Sequence, residues 1–115
     1  MSNRTIRVNE LIRQELNAIL RSDYGVEAVA ITITDVEVAP NLRSALIFYS
    51  VIGGAPAIAS AKSFLSKKAR EMRQSLNRRI TIKYSPELRF VYDASMERGS
   101  KILSVLDELE HEQPD

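Results

Sequence analysis

Pro56-Ala57-Ile58-Ala59-Ser60-Ala61-Lys62-Ser63-Phe64-Leu65-Ser66-Lys67-Lys68-Ala69-Arg70-Glu71-Met72-Arg73-Gln74-Ser75-Leu76-Asn77-Arg78-Arg79 is the stretch that sets the architecture. Ile58, Ala61, Leu65, Ala69, Met72 and Leu76 step by three or four, which is the spacing of one face of a long helix. On a helical wheel Lys62, Lys67, Arg70, Arg73 and Arg78 fall on the opposite arc. Pro56 suits the first helical turn, where its missing N–H costs nothing. Gly53-Gly54 ends whatever precedes it. A helix this long, apolar along one side, needs an equally long apolar surface to cover.

That surface is found on either side of it. Upstream, residues 28–38 are rich in β-branched side chains, with Val29, Ile31 and Ile33 alternating with Ala30, Thr32 and Thr34. The apolar parity then shifts to Val36 and Val38. A shift of one residue flips the buried face, so a β-bulge is expected near Asp35. Pro40-Asn41 supplies a turn, and Leu42–Val51 returns as the second strand of an antiparallel hairpin. Before the hairpin, residues 4–21 carry Val8, Leu11, Ile12, Leu16, Ile19 and Leu20 at helical spacing, with Arg7, Asn9, Arg13 and Asn17 off the stripe. Gly25 is placed to cap that helix. Downstream, Ile80–Tyr84 reads as extended, Ser85-Pro86 as a break, and Leu88–Asp93 as a strand with Leu88, Phe90 and Tyr92 on one face. Ser95 is a candidate N-cap for a last helix carrying Ile102, Leu103, Leu106 and Leu109. The predicted fold is α+β, a three-stranded sheet with helices packed on one face.

A chain of 115 residues, 44% hydrophobic and 27% charged, fits one domain with an ordinary core. Residues 1–110 are assigned to that domain and residues 111–115 to a short acidic flexible tail. With no cysteine there is no disulfide framework, thiolate metal site or thiol catalysis. The N-terminus has no apolar signal stretch and no run approaches transmembrane length, so a cytoplasmic protein with no membrane partner is expected.

The net charge of +1 conceals segregation along the chain. Lys62, Lys67, Lys68, Arg70, Arg73, Arg78, Arg79 and Lys83 stand against one acid, Glu71. Asp107, Glu108, Glu110, Glu112 and Asp115 crowd the end. A solvated helix face is the ordinary explanation of a charge run. Here the near absence of acids removes the Glu–Lys pairs such a face usually carries, and the run continues past the helix. Phosphate contact is the reading adopted, with Arg4 and Arg7 extending the footprint. Such a stripe neutralises phosphates without reading sequence.

Catalytic chemistry has little to work with. The single histidine, His111, lies in the acidic tail, so no Ser-His-Asp arrangement and no nitrogen-rich metal site can be assembled around it. Glu10 and Glu15, five apart, leave one helix in different directions. Asp93 and Glu97 flank Ser95 as acids at a helix start. Gly53-Gly54 fits neither phosphate-loop pattern. The aromatic residues sit mostly at core parity, not on a stacking platform. A binder without catalysis, cofactor, metal or small-molecule substrate is expected, with a monomer as default.

Three blocks of residues resemble the ribosome-binding factor A family. They are Arg7-Val8-x-Glu10-x-Ile12-x-x-Glu15-x-x-x-Ile19-Leu20, then Ile31-Thr32-Ile33-Thr34-Asp35-Val36-Glu37-Val38 with Leu42 and Ala45, then Pro86-Glu87-Leu88-x-Phe90-x-x-Asp93-x-Ser95-x-Glu97-x-Gly99. Arg73 and Leu76 stand upstream of the third at family spacing. The resemblance implies a type II KH-like domain of order α-β-β-α(kink)α-β-α, the long helix breaking at Ala69. It also implies binding to immature small (30S) ribosomal subunits, assistance to 16S rRNA maturation and processing, and support under cold stress. Two other readings share some of these features: a KH-like RNA module or RNA chaperone unconnected with the ribosome, and a protein adaptor pairing through an exposed sheet edge.

If the basic arc grips RNA, reversing Lys67, Arg70 and Arg73 to Glu weakens RNA or subunit binding and leaves the fold intact. Wild-type affinity of the triple variant in low salt would refute this.

Overall fold

In the computed structural model, residues 3–81 and 85–94 are described, with side chains from Thr5 onward. Helix α1 spans Asn3–Ile19 and runs on through a π turn, Leu20–Tyr24, and a 3-10 turn, Gly25–Ala28. Strands β1 (Ile31–Val38) and β2 (Ser44–Val51) follow, then helix α2 (Ala55–Arg79) and strand β3 (Glu87–Tyr92). Among the described residues no helix is long and apolar enough to cross a membrane. The expected last helix and acidic tail lie outside the described residues, as do Lys83 and the side chain of Arg4.

The chain leaves α1 as the sequence requires. Gly25 has φ 52°, in the left-handed region, and its N–H donates to the Leu20 carbonyl. Gly53, at φ 132°, has a second constraint. A Cβ there would lie 2.7 Å from that of Ala57, inside any tolerable contact.

β2 is the central strand, antiparallel to β1 and parallel to β3. Parallel partners need a crossover, and α2 supplies it. The register of β1 against β2 skips Thr34: Ile33 faces Tyr49 and Asp35 faces Phe48. The bulge expected near Asp35 is therefore present. It turns Ile31 and Ile33 on one side of it, and Val36 on the other, to the same buried face. Side chains hold it in place. The Thr34 hydroxyl donates to Asp93 at 3.0 Å, and Asp35 accepts the Val36 N–H at 2.8 Å.

One core joins all five elements. Ile12, Leu16 and Ile19 of α1 meet Ile31, Ile33 and Val36 of β1, Ala45, Ile47 and Tyr49 of β2, and Leu88 of β3. From α2 come Ala61, Leu65, Met72 and Leu76, four of the six stripe positions. Both helices thus cover the same sheet face. Burial pushes the Tyr49 phenol up, and its ring meets those of Phe90 and Tyr92 edge-on. The off-stripe asparagines of α1 also have work. Asn17 accepts the Ile33 N–H at 2.8 Å and donates to the Ile33 carbonyl at 3.0 Å. Asn9 accepts the Val38 N–H at 3.2 Å. They occupy backbone groups of an edge strand that would otherwise invite pairing.

Ile80 is extended, as expected, at φ −134° and ψ 152°, but neither it nor Thr81 joins the sheet, and β3 begins at Glu87. α2 runs through Ala69 as one helix of 25 residues. Local chemistry accounts for that: alanine is the best helix former, and neither glycine, proline nor an inserted polar group interrupts the ladder there.

A continuous helix makes Ala69→Gly destabilising by about 1 kcal/mol, measured by urea denaturation. A neutral or stabilising result would indicate a broken helix at that position. Leu16→Ala, at a fully buried site, costs about 2–5 kcal/mol in the same assay.

Candidate nucleic-acid interface

The core stripe of α2 dictates where its cations go. With Ala61, Leu65, Met72 and Leu76 turned to the sheet, Lys67 and Arg70 are exposed on the outer arc and Lys62 is exposed at the flank of the stripe. None of these three makes a hydrogen bond or ion pair with another described residue. They form the open part of the site. Arg7, on α1, is likewise exposed.

The other predicted contacts are engaged in holding the protein together. Lys68 pairs with Glu71 at 3.2 Å and lies 5.9 Å from the centroid of the Tyr24 ring. That ring packs edge-on against Phe64 with centroids 5.1 Å apart, so Lys68 helps seal the π turn against α2. Burial, followed by the nearby Glu71, Asp23 and Glu27 charges, pushes the Tyr24 phenol up.

Arg73 is turned toward the protein itself. Its Nε donates to the Ser85 hydroxyl at 3.0 Å, and a terminal nitrogen donates to the Ser85 carbonyl. Asn77 donates to the same hydroxyl. The segment entering β3 is thereby tied to α2.

The last turn of α2 is tied to the end of α1. Ser75, only 7% exposed, donates to Asp23 at 3.1 Å and accepts from Arg78 at 3.0 Å. Arg79 donates to the Ser22 hydroxyl at 2.8 Å and pairs with Glu15 at 3.4 Å. Both arginines also sit where the helix dipole favours a cation. A charge run almost without local acids looks unpaired in sequence; Glu15, which pairs with Arg79, and Asp23, which accepts from the Ser75 that Arg78 meets, arrive from α1 and its π turn.

The site is therefore smaller than the stripe. Lys62, Lys67 and Arg70 form its accessible centre, while Lys68, Arg73, Arg78 and Arg79 shape and orient it. Arg21, exposed in the π turn next to Ser22, was not among the expected contacts. Its signal in sequence was a basic residue at the end of a helix, too common to single out. The arrangement can bind phosphates as point charges.

This division alters the expected behaviour of the triple reversal. Arg73→Gln lowers stability by about 1 kcal/mol in urea denaturation, whereas Lys67→Gln stays within about 0.5 kcal/mol of wild type. Equal stability of the two variants would contradict the assignment of Arg73 to the fold.

Comparison with known proteins places this architecture. A family model described as ribosome-binding factor A matches residues 4–106. Ribosome-binding factor A of Opitutus terrae is 48% identical over 114 residues, covering 99% of this chain and 93% of that protein. The protein of the same name from Gloeobacter violaceus is 37% identical, covering 97% of this chain and 90% of its own. The crystal structure of ribosome-binding factor A from Thermus thermophilus has a TM-score of 0.69 at 15% identity, covering 76% of this chain and 94% of that one. A Thermus thermophilus ribosome-binding factor A homology model, fitted into a cryo-EM map of a 30S–RbfA complex, has a TM-score of 0.63, also at 15% identity, and covers 75% of this chain and 91% of that one. These likenesses are of fold, and they agree with the α+β, KH-like arrangement expected from the sequence. From the family model and the near full-length relatives, the chain belongs to the ribosome-binding factor A family.

Proposed function

We propose that this chain is a small-subunit assembly factor, which binds immature 30S particles through α2 and assists the maturation and processing of 16S rRNA. The observation that carries the reading is the exposed set of Lys62, Lys67 and Arg70 on the helix whose other side buries Ala61, Leu65, Met72 and Leu76. Family membership supplies the particle, since a Thermus relative is fitted into a map of a 30S complex. The charge supplies the mode of contact. Phosphates neutralised by a few cations give binding that is salt-dependent and indifferent to base sequence. The family is one of ribosome-binding factors, and the site chemistry described above suits binding without catalysis. A monomer presenting one such arc is sufficient for that role.

A KH-like RNA module unconnected with the ribosome would use the same arc, and the two differ in what retains them. Sedimentation through a gradient with isolated small subunits separates them. The wild-type chain is expected to travel with the subunit, and the Lys62→Glu, Lys67→Glu, Arg70→Glu variant to stay at the top while keeping its circular dichroism. Loss of those three contacts should reduce the slope of log affinity against log salt by roughly two to three. Equal retention of wild type and variant would overturn the proposed contact. Retention by free RNA but not by subunits would favour the general module.

A further inference from the structure

The sheet has a second face that no described element covers. Its outward rows follow from the register. Asp35 lies opposite Phe48, and Phe48 opposite Val91; Glu37 lies opposite Leu46, and Leu46 opposite Arg89. Leu46 and Val91 are 38% and 37% exposed, high for large apolar side chains on a sheet. Asp35, Glu37, Phe48, Val91, Tyr92, Asp93 and Ala94 enclose an open groove of about 490 Å³. Its floor is apolar and its rim carries three carboxylates. Among the described residues no cation lines it.

The groove rim is opposite in charge to α2, and the one cation on the same outward rows is Arg89, exposed beside Leu46 and outside the groove lining. A phosphate-bearing ligand is repelled by Asp35, Glu37 and Asp93, so the groove is not a continuation of the RNA interface. Two of the carboxylates are also held in position. Asp35 takes the Val36 N–H and Asp93 takes the Thr34 hydroxyl, both at the bulge. An apolar floor within a fixed anionic rim matches a chain that alternates apolar and cationic side chains.

We propose that this groove docks a cationic polypeptide segment of a protein partner, with Lys or Arg on the Asp35–Glu37 rim and an apolar side chain on Phe48 and Val91. The occupant is protein, because the rim excludes nucleic acid and the floor asks for burial. The site is independent of the helix arc, and the two can be filled together.

The test uses the full ¹⁵N-labelled chain, titrated with a seven-residue peptide alternating lysine and leucine. Amide shifts are expected at Glu37, Phe48 and Val91 and not at Lys62, Lys67 or Arg70. Glu37→Lys should weaken the peptide by about tenfold, and Asp35→Asn, which keeps the side-chain oxygen, by less. Neither variant should change retention by small subunits, so failure here is distinct from failure of the helix contact. The inference is overturned if no shifts appear on this face. It is equally overturned if a glutamate–leucine peptide or an oligouridine produces the same shifts, or if Glu37→Lys binds the lysine–leucine peptide as wild type does.

Discussion

Parallel pairing of β2 with β3 is the constraint on which the rest depends. Two parallel neighbours cannot be joined by a tight turn, so the chain must cross the sheet, and α2 is that crossing. A crossing helix in a two-layer domain has one covered side along its whole length. Ala61, Leu65, Met72 and Leu76 fill that side at essentially no exposure. The cations between them have nowhere to go but outward. Display of charge on this protein is thus a by-product of closing its sheet.

Display alone does not make an interface. The cations of the stripe divide by what they touch. Those near α1 and near the entry to β3 find hydroxyls, carbonyls and carboxylates from other elements, or a hydroxyl already tied to one: Arg79 with Glu15 and Ser22, Arg78 with Ser75, Arg73 with Ser85. Of these, the half-exposed ion pair of Arg79 with Glu15 contributes little to stability, and the hydrogen bonds about 1 kcal/mol or less each. Their effect is geometric, fixing the end of α2 against the π turn. Lys62, Lys67 and Arg70, over the middle of the helix, have no such neighbours among the described residues and remain available. On the outer face of the sheet the groove lining carries the reverse sign, in Asp35, Glu37 and Asp93.

What was legible in the sequence follows the range of the interactions. Hydrophobic period located both helices, the hairpin, and even the bulge, because parity in β1 changes between Ile33 and Val36. Gly25 was readable as a cap because one backbone position there needs positive φ. The composition of the site was also visible, as a cation run almost without acids. Its division into free and engaged residues was not. That depended on Glu15 meeting Arg79 across 64 positions and Asp23 meeting Ser75 across 52, separations that no window along the chain connects. Asn17 illustrates the same limit, since a polar residue off an apolar stripe looks solvated until a strand edge is brought to it. At Ala69 the local reading and the family resemblance pointed in different directions, and helix propensity agreed with the unbroken helix.

The bulge at Thr34 makes β1 two half-strands out of phase. Ile31 and Ile33 belong to one phase, Val36 and Val38 to the other, and a single skipped residue reconciles them. Side-chain polarity in this strand is thus defined relative to the skip and not to the strand's beginning. Losing one residue there would exchange inside for outside over half of β1, setting isoleucines toward water and threonines into the core. Substitutions around this point are graded in their effect, while changes of length are all-or-none. The strand therefore tolerates drift in composition but holds its count.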